Sequence, residues 1–376
     1  MPRSFRRNST SVGLIAIVLI LLGIVYSCQG ATGADPGFAA TATAAVLPLP
    51  TPVSDVSSGS SWYNLYFTDP DLTAGIDSPS GGIPVKLVAA FDAALQTIDL
   101  AVYEFDLTMV SDALLRAHQR GVRVRVVADT DSLLEPPVVA LIGAGLPVID
   151  DQRDAIMHDK FAVIDGSIVW TGSMNYTFSD AYRNNNNVIE IISPRLADNY
   201  TAEFEEMFLR RDFGSGPSDP TPHPTLTLNG ILIENYFSPD DGVAAHIESL
   251  LASAKFSVYF MAFSFTRSDF SDALIAKARS AVVVQGVFET RQIEAGVDAA
   301  WQALTAAGLP VRKDGNRYNL HHKVFIVDQA TVVLGSYNFS RNAEENNDEN
   351  VLIIHSPEIA AAYLAEWQKV WDAAQP

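Results

Sequence analysis

His158-Asp159-Lys160 and His321-His322-Lys323 are the two places in this 376-residue chain where an imidazole and an ammonium stand two residues apart. At identical intervals each is followed by an aspartate, Asp165 or Asp328, and by a Gly-Ser-x-Asn tetrad, Gly172-Ser173-Met174-Asn175 or Gly335-Ser336-Tyr337-Asn338. A neutral imidazole is nucleophilic and can hold a phosphoryl group covalently. A second imidazole on the far side of phosphorus can protonate the departing oxygen and then activate water. Lys160, Lys323, Asn175 and Asn338 offer donors to the non-bridging oxygens as charge shifts in the transition state. Ser173 and Ser336 add hydroxyls or hold their loops. Neither copy suffices, because in-line displacement needs imidazoles on both sides of phosphorus, so both copies are expected in one cleft about a pseudo-two-fold axis. The chemistry is phosphodiester cleavage. Lysine is a poor metal ligand at neutral pH and a cationic pocket repels a divalent ion, so no metal or other cofactor is expected.

Placed on a strand, His158 and Lys160 share one face, as do His321 and Lys323. By parity Asp165 and Asp328 fall on the other face, where they are expected to cap a turn or tie down backbone rather than move protons. His322 is expected to pack or hydrogen-bond. Glu349 lies 28 residues after His321, and the same offset from His158 lands on Asn186. A carboxylate fixes the tautomer of its histidine and stabilises the imidazolium, whereas an amide mainly orients it. The expectation is that Glu349 backs His321, which then has the greater proton affinity, and that Asn186 backs His158, with Glu190 as a substitute partner in the first half.

These residues sit in a chain that is written twice. Tyr66-Phe67-Thr68 is echoed by Tyr236-Phe237-Ser238, Ser111-Asp112-Ala113-Leu114 by Ser271-Asp272-Ala273-Leu274, and Gly145-Leu146-Pro147-Val148 by Gly308-Leu309-Pro310-Val311. A Gly/Pro/Ser-rich stretch separates the copies and cannot hold helix or strand. Lobes are expected over 61–213 and 224–376, with 214–223 as linker. Residues 97–105 and 256–263 read as strands, 110–119 and 270–279 as helices, and 122–128 and 281–288 as strands covered on both faces. A helix precedes each Gly-Leu-Pro-Val turn, and helices over 196–208 and 359–371 close the lobes. The alternation predicts an α/β fold with helices on a mixed or mostly parallel sheet.

Composition limits the setting. Hydrophobic residues at 48% suffice for cores, and one cysteine permits neither an internal disulfide nor a multi-thiolate site. A net charge of −19 argues against gripping nucleic acid through a broad basic surface. Arg3, Arg6 and Arg7 precede an uncharged apolar run from Val12 to Val25, the pattern of an export signal over 1–27 or of a signal-anchor. Val25-Tyr26-Ser27-Cys28 resembles the lipobox of bacterial lipoproteins, which implies lipidation at Cys28 and work outside the cytoplasm, on the outer face of a membrane, in the periplasm or beyond. Residues 28–60 read as a flexible Ala/Pro/Thr/Gly-rich tether.

The paired His-x-Lys-x4-Asp and Gly-Ser-x-Asn motifs resemble the phospholipase D superfamily over most of residues 61–376. The resemblance implies two α-β-α sandwich lobes with a single site at their interface. It also implies a metal-independent reaction in which one histidine becomes a phosphohistidine and the other is the general acid/base. On it, His158 and His321 take those roles, with His158 preferred as nucleophile, and Lys160, Lys323, Asn175 and Asn338 bind phosphate. Asn186 departs from the family, whose simple nuclease members carry glutamate there.

Phospholipid is the expected substrate, from the candidate anchor and the acidic charge. An extracellular nuclease is the alternative, with Arg183, Arg291, Arg312, Lys313 and Arg317 as candidate cleft residues, and a non-catalytic scaffold is a third reading. The aromatic run Tyr259 to Phe265 is expected mostly in the core, and the chain is expected to act as a monomer.

Overall fold

The computed structural model describes residues 62–70 and 81–375; the segments expected to be an export signal and a tether, with Cys28 between them, lie outside the described residues. The first half runs β1 (Tyr63–Phe67), α1 (Gly82–Ala93), β2 (Thr97–Val102), α2 (Thr108–Gln119), β3 (Arg123–Ala128), α3 (Pro136–Gly143), β4 (Val148–Asp150), β5 (Lys160–Ile164), β6 (Ile168–Gly172), α4 (Phe178–Tyr182), β7 (Asn187–Ile192) and α5 (Pro194–Glu205). The second runs β8 (Thr225–Leu228), β9 (Ile231–Ser238), α6 (Val243–Ser253), β10 (Ser257–Ala262), α7 (Ser268–Arg279), β11 (Val283–Phe288), α8 (Thr290–Glu294), α9 (Ala299–Ala306), β12 (Val311–Lys313), β13 (Lys323–Val327), β14 (Thr331–Gly335), α10 (Arg341–Glu345), β15 (Glu349–Ile354) and α11 (Pro357–Ala373).

The strand orders are β1-β7-β6-β5-β2-β3-β4 and β12-β11-β10-β13-β14-β15-β9-β8. Both sheets are mixed rather than mostly parallel. Only β2-β3-β4 and β10-β11-β12, each joined by helical crossovers, run parallel. From β5 and β13 onward the strands pair antiparallel, β5–β6 and β13–β14 through short hairpins and β6–β7 and β14–β15 through segments that carry α4 and α10.

Strand parity builds the layers. In β5, Phe161 and Val163 point into a core shared by both halves, while Ala162 and Ile164 face the outer helices of the first. In β13, Val324 and Ile326 join the shared core, and Phe325 and Val327 face the outer helices of the second. Apolar residues of α5 (Leu196, Tyr200, Phe204) and α11 (Ile359, Tyr363, Trp367) fill that shared core between the inner faces of the sheets. Of the aromatic run, Phe260, Met261, Ala262 and Phe265 are fully buried.

Polar contacts stitch the seam in pseudo-symmetric pairs. The Tyr200 hydroxyl donates to Asn350 Oδ1 (3.1 Å) and the Tyr363 hydroxyl to Asn187 Oδ1 (3.0 Å). Asn350 Nδ2 donates to Asp159 Oδ1 (2.6 Å), and Asn187 Nδ2 contacts His322 Nδ1 (2.9 Å), which accounts for His322 by hydrogen bonding in a buried place.

Two elements end differently from the sequence reading. The strand over 97–105 stops at Val102, because the Asp106 and Leu107 N–H groups turn away to bond the Tyr176 carbonyl. The closing helix of the first half stops at Glu205 and continues to Arg210 as a wider turn, in which Arg210 pairs with Glu206.

Candidate active site

Lys160 and Lys323 open β5 and β13 where these strands lie beside the carboxyl ends of β2 and β10. The two histidines sit two residues before those strands, outside the regular sheet. Each is held by backbone of the opposite half: His158 N–H donates to the Asp348 carbonyl (2.9 Å) and His321 N–H to the Asn185 carbonyl (2.9 Å). Both imidazoles are nearly fully buried. Burial pushes the proton affinity of each well down, and both lysine charges act on both rings in the same direction. His158, His321, Lys160 and Lys323 therefore lie close enough for their charges to act on one another.

The lysines are themselves over 95% buried, and each ammonium donates to the carbonyl of its own histidine, Lys160 at 2.5 Å and Lys323 at 2.9 Å. Burial lowers Lys160 to about 8; burial and the Lys160 charge lower Lys323 to about 7. An aromatic ring floors each half-site. Tyr103 lies 5.1 Å from the His158 ring and under Lys160, and Phe263 lies 4.7 Å from the His321 ring and under Lys323.

The second layer crosses the seam and corrects the expected pairing. Glu349 does not back His321; its Oε2 lies 2.6 Å from His158 Nδ1. Asn186 does not back His158; its Oδ1 lies 2.9 Å from His321 Nδ1. Nor does Glu190 reach an imidazole, because it points along the β1–β7 edge and accepts from Asn64 Nδ2 (2.6 Å). The reason is geometric. Asn186, just before β7, and Glu349, the first residue of β15, both lie at the seam, and the imidazole within reach there belongs to the facing half. Burial raises Glu349 to about 8 while it pushes the His158 imidazole down, so this pair is best described as one proton held between carboxyl and imidazole.

The glycine of each tetrad makes that layer possible. A Cβ on Gly172 would lie 2.1 Å from the Asn187 carbonyl oxygen, and one on Gly335 equally close to that of Asn350, with both residues at positive φ. The close approach brings Ser173 Oγ within 2.8 Å of Asn186 Oδ1, to which it donates, and lets Ser336 Oγ accept the Asn350 N–H (3.0 Å). The serines therefore hold the second layer rather than face the cleft. Asn175 Nδ2 donates to Glu104 Oε2 (2.9 Å), while its Oδ1 and that of Asn338 have no partner among the described residues.

Asp165 and Asp328 lie away from the cleft. Asp165 accepts the N–H groups of Leu95, Gln96 and Thr97, and Asp328 those of Lys255, Phe256 and Ser257, each set within 2.7–2.9 Å. They clamp the turns that launch β2 and β10.

Two acidic residues near the cleft were missed in the sequence reading. Glu104 follows Tyr103 and stands where the second half has Ser264. Asp180, buried in α4, stands where the second half has Ala343. An alignment of the halves would have flagged both, since a carboxylate in one copy only breaks the duplication. Of the five basic candidates, Arg183 and Arg317 stack on Tyr318, and Arg291 donates to Asn319 Oδ1 and the Arg317 carbonyl, beside the His321 segment. Arg312 and Lys313 instead lie over Trp371 and Trp301. Among the described residues, Glu203, Glu206 and Asp240 come within metal-ligand spacing of one another, and neither cleft histidine belongs to that group.

Comparison with known proteins follows the duplication. The family described as "Cardiolipin synthase, PLD-like domain" matches residues 87–208 and again 247–371. The mitochondrial cardiolipin hydrolase of Xenopus laevis is 35% identical over 129 residues, covering 34% of this chain and 61% of that protein. That of Homo sapiens is 35% identical over 125 residues, covering 33% and 50%. The chain thus spans between half and 61% of the length of these relatives. The crystal structure of phosphatidylserine synthase from Haemophilus influenzae Rd KW20 superposes with a TM-score of 0.58 at 14% identity, covering 77% of this chain and 83% of that one. At that identity the likeness concerns the fold.

Proposed function

The chain belongs to the phospholipase D superfamily, with two family domains in one polypeptide, and from that premise we propose that it is a phosphodiester hydrolase working through a phosphohistidine. One observation carries the reading: two buried imidazoles from different halves lie together with two buried lysines whose charges act on both rings, and each imidazole has Nδ1 engaged by the facing half. With Nδ1 engaged, Nε2 of each ring is the free nitrogen. His158 Nε2 gives its electron pair to phosphorus, the P–O bond breaks, and the leaving oxygen takes the pair together with a proton from His321 Nε2–H. Water enters next. His321 Nε2 takes its proton, the water oxygen bonds to phosphorus, and the P–N electrons return to His158. Lys160, Lys323, Asn175 and Asn338 hold the non-bridging oxygens.

The substrate is a glycerophospholipid. Supporting this are the relatives named as cardiolipin hydrolases, the net charge of −19, and exposed apolar side chains on the first half. There Leu134, 89% exposed, adjoins α3, whose Val139 and Ile142 are also exposed within an uncharged run from Pro136 to Ile149. Export, a lipid or signal-anchor attachment at the N-terminus and action as a monomer complete the proposal.

A nuclease is the second reading, favoured by the Arg183 and Arg317 guanidinium groups gathered at Tyr318, with Arg291 alongside, in the segment that leads to His321, where they could hold a phosphate backbone. The test is incubation of the full-length protein in detergent, with chelator present, with phosphatidylcholine, cardiolipin, and single- and double-stranded DNA. Headgroup release without nicking is the expected result; nicking without headgroup release replaces lipid by nucleic acid, and loss of both activities overturns the hydrolase.

A further inference from the structure

His321 lacks a directly bonded carboxylate, yet a carboxylate stands one hydrogen bond behind it. Asn186 Oδ1 accepts from His321 Nδ1 (2.9 Å) and from Ser173 Oγ (2.8 Å). The other end of the same amide, Nδ2, donates to Asp180 Oδ1 (2.9 Å) and to the Asp180 carbonyl (3.1 Å). With two donors on its oxygen and two acceptors at its nitrogen, the amide has one orientation that satisfies every group. Asp180 Oδ1 also takes Asn184 Nδ2 (2.7 Å) and lies 3.4 Å from His321 Nδ1, and Asp180 Oδ2 takes the Asn175 N–H (3.1 Å).

The second half shows what is being replaced. There Glu349 stands at the position of Asn186 and bonds its imidazole directly, and Ala343 stands at the position of Asp180. The first half has moved the carboxylate back by one residue layer and inserted an amide between it and the ring. Burial works against ionisation of Asp180, but His321, the Asn184 and Asn186 amides and Lys323 outweigh it and hold the acid in the ionised range. The groups bearing on His321 are Lys323 from its own half, Lys160 and His158 from the facing half, and Asp180, with the Phe263 ring packed edge-on against it. Asp180 is the anion among them that raises its proton affinity.

Building on the hydrolase reading, we infer that Asp180 is the positioning carboxylate of the His321 half-site, acting through the Asn186 amide, and that it equips His321 to deliver the proton to the leaving oxygen. Asp180 fixes the amide, the amide fixes the Nδ1–H tautomer, and the nearby negative charge favours the imidazolium needed before P–O cleavage.

The test uses the full-length protein in detergent and two readouts: NMR titration of the His321 ring in the resting protein, and the pH profile of kcat/KM for choline release from a short-chain phosphatidylcholine, whose alkoxide leaving group needs the proton. Asp180→Asn is expected to move both the His321 titration and the basic limb of the profile to lower pH by about one unit, leaving the acidic limb in place. The double variant Asp180→Ala/Asn186→Glu, which installs the second half's own arrangement, is expected to return both toward the wild-type position. It also decides the matter should Asp180→Asn not fold. A uniform loss of rate with titration and limb unmoved, or a double variant that fails to recover them, overturns the assignment. A wild-type protein that turns over no phosphodiester while its His321 titration still responds to Asp180 sinks the hydrolase reading and leaves the Asp180–Asn186–His321 linkage standing.

Discussion

The two half-sites agree in every residue of the motif and differ one layer behind it. His158 is met by a carboxyl at 2.6 Å; His321 is met by an amide at 2.9 Å with an aspartate behind it. Lys160 has Glu104 near it, where the second half offers a serine. Duplication made two equal imidazoles. Their surroundings then separated them, as a reaction that needs one nucleophile and one acid requires. The lesson is that roles in a symmetric constellation are read from whatever breaks the symmetry.

The strongest way to break the comparison is to remove each imidazole in turn. His158→Asn and His321→Asn are each expected to lower kcat on a lipid substrate by about 10⁴-fold or more. On bis(p-nitrophenyl) phosphate, whose leaving group needs little protonation, His321→Asn should still give a burst of p-nitrophenolate and a phosphoryl mass on the peptide containing His158. A burst and label in His158→Asn instead would reverse the roles.

Next come the second-layer groups. Glu349→Gln is expected to cost roughly 10²-fold or more in kcat, within the ceiling of about 10⁴ known for a carboxylate behind a catalytic histidine. Asn186→Ala should cost roughly tenfold, at the low end of outer-layer effects. Equal losses in steady-state assays would mean that direct carboxyl and amide relay are interchangeable.

The lysines carry a pH signature. Both titrate far below 10.5, Lys160 at about 8 and Lys323 at about 7, so their positive charge is lost as pH rises through that range. KM should therefore increase between about pH 7 and 9, and Lys323→Met should remove the lower step. Linkage has the opposite sign for folding. The unfolded chain binds more protons than the folded one between the lowered and the ordinary values, so the substrate-free protein should gain stability from these groups as pH climbs from about 7 toward 10. A flat KM profile would contradict the burial of both ammonium groups.

The smallest effect falls on residues where the halves are alike. Asp165→Asn and Asp328→Asn each weaken a clamp of three N–H donors and should lower unfolding free energy by about 1–3 kcal/mol, to similar extents and with little change in kcat. Urea melts of both variants would show it; a selective loss of activity in either would give that aspartate a part in the chemistry.

Much of this was legible from residue order. The apolar runs located β2, β3, β10, β11 and the flanking helices, because a strand covered on both faces is largely apolar; the buried Asp99 of β2 and Arg125 of β3 are exceptions that pair with each other. The off-face parity of Asp165 and Asp328 pointed to backbone clamping, and their hydrogen bonds are of that kind. The sheet's direction beyond β5 was less legible, since short hairpins leave a weaker signal than crossover helices. Asp180 was overlooked because it sits outside the motif.

What the chain determined by itself was the inventory: two copies of one chemical kit, the same spacing in each, and an amide facing a carboxylate at one matched position. Which imidazole receives the carboxylate was settled only by docking. Residues 28 apart in one half look like partners along the chain, but β7 and β15 carry Asn186 and Glu349 to the seam, where the nearest ring is the other half's. A hydrogen bond forms with whatever lies within about 3 Å, and proximity across an interface is a property of packed surfaces that spacing along one chain does not encode.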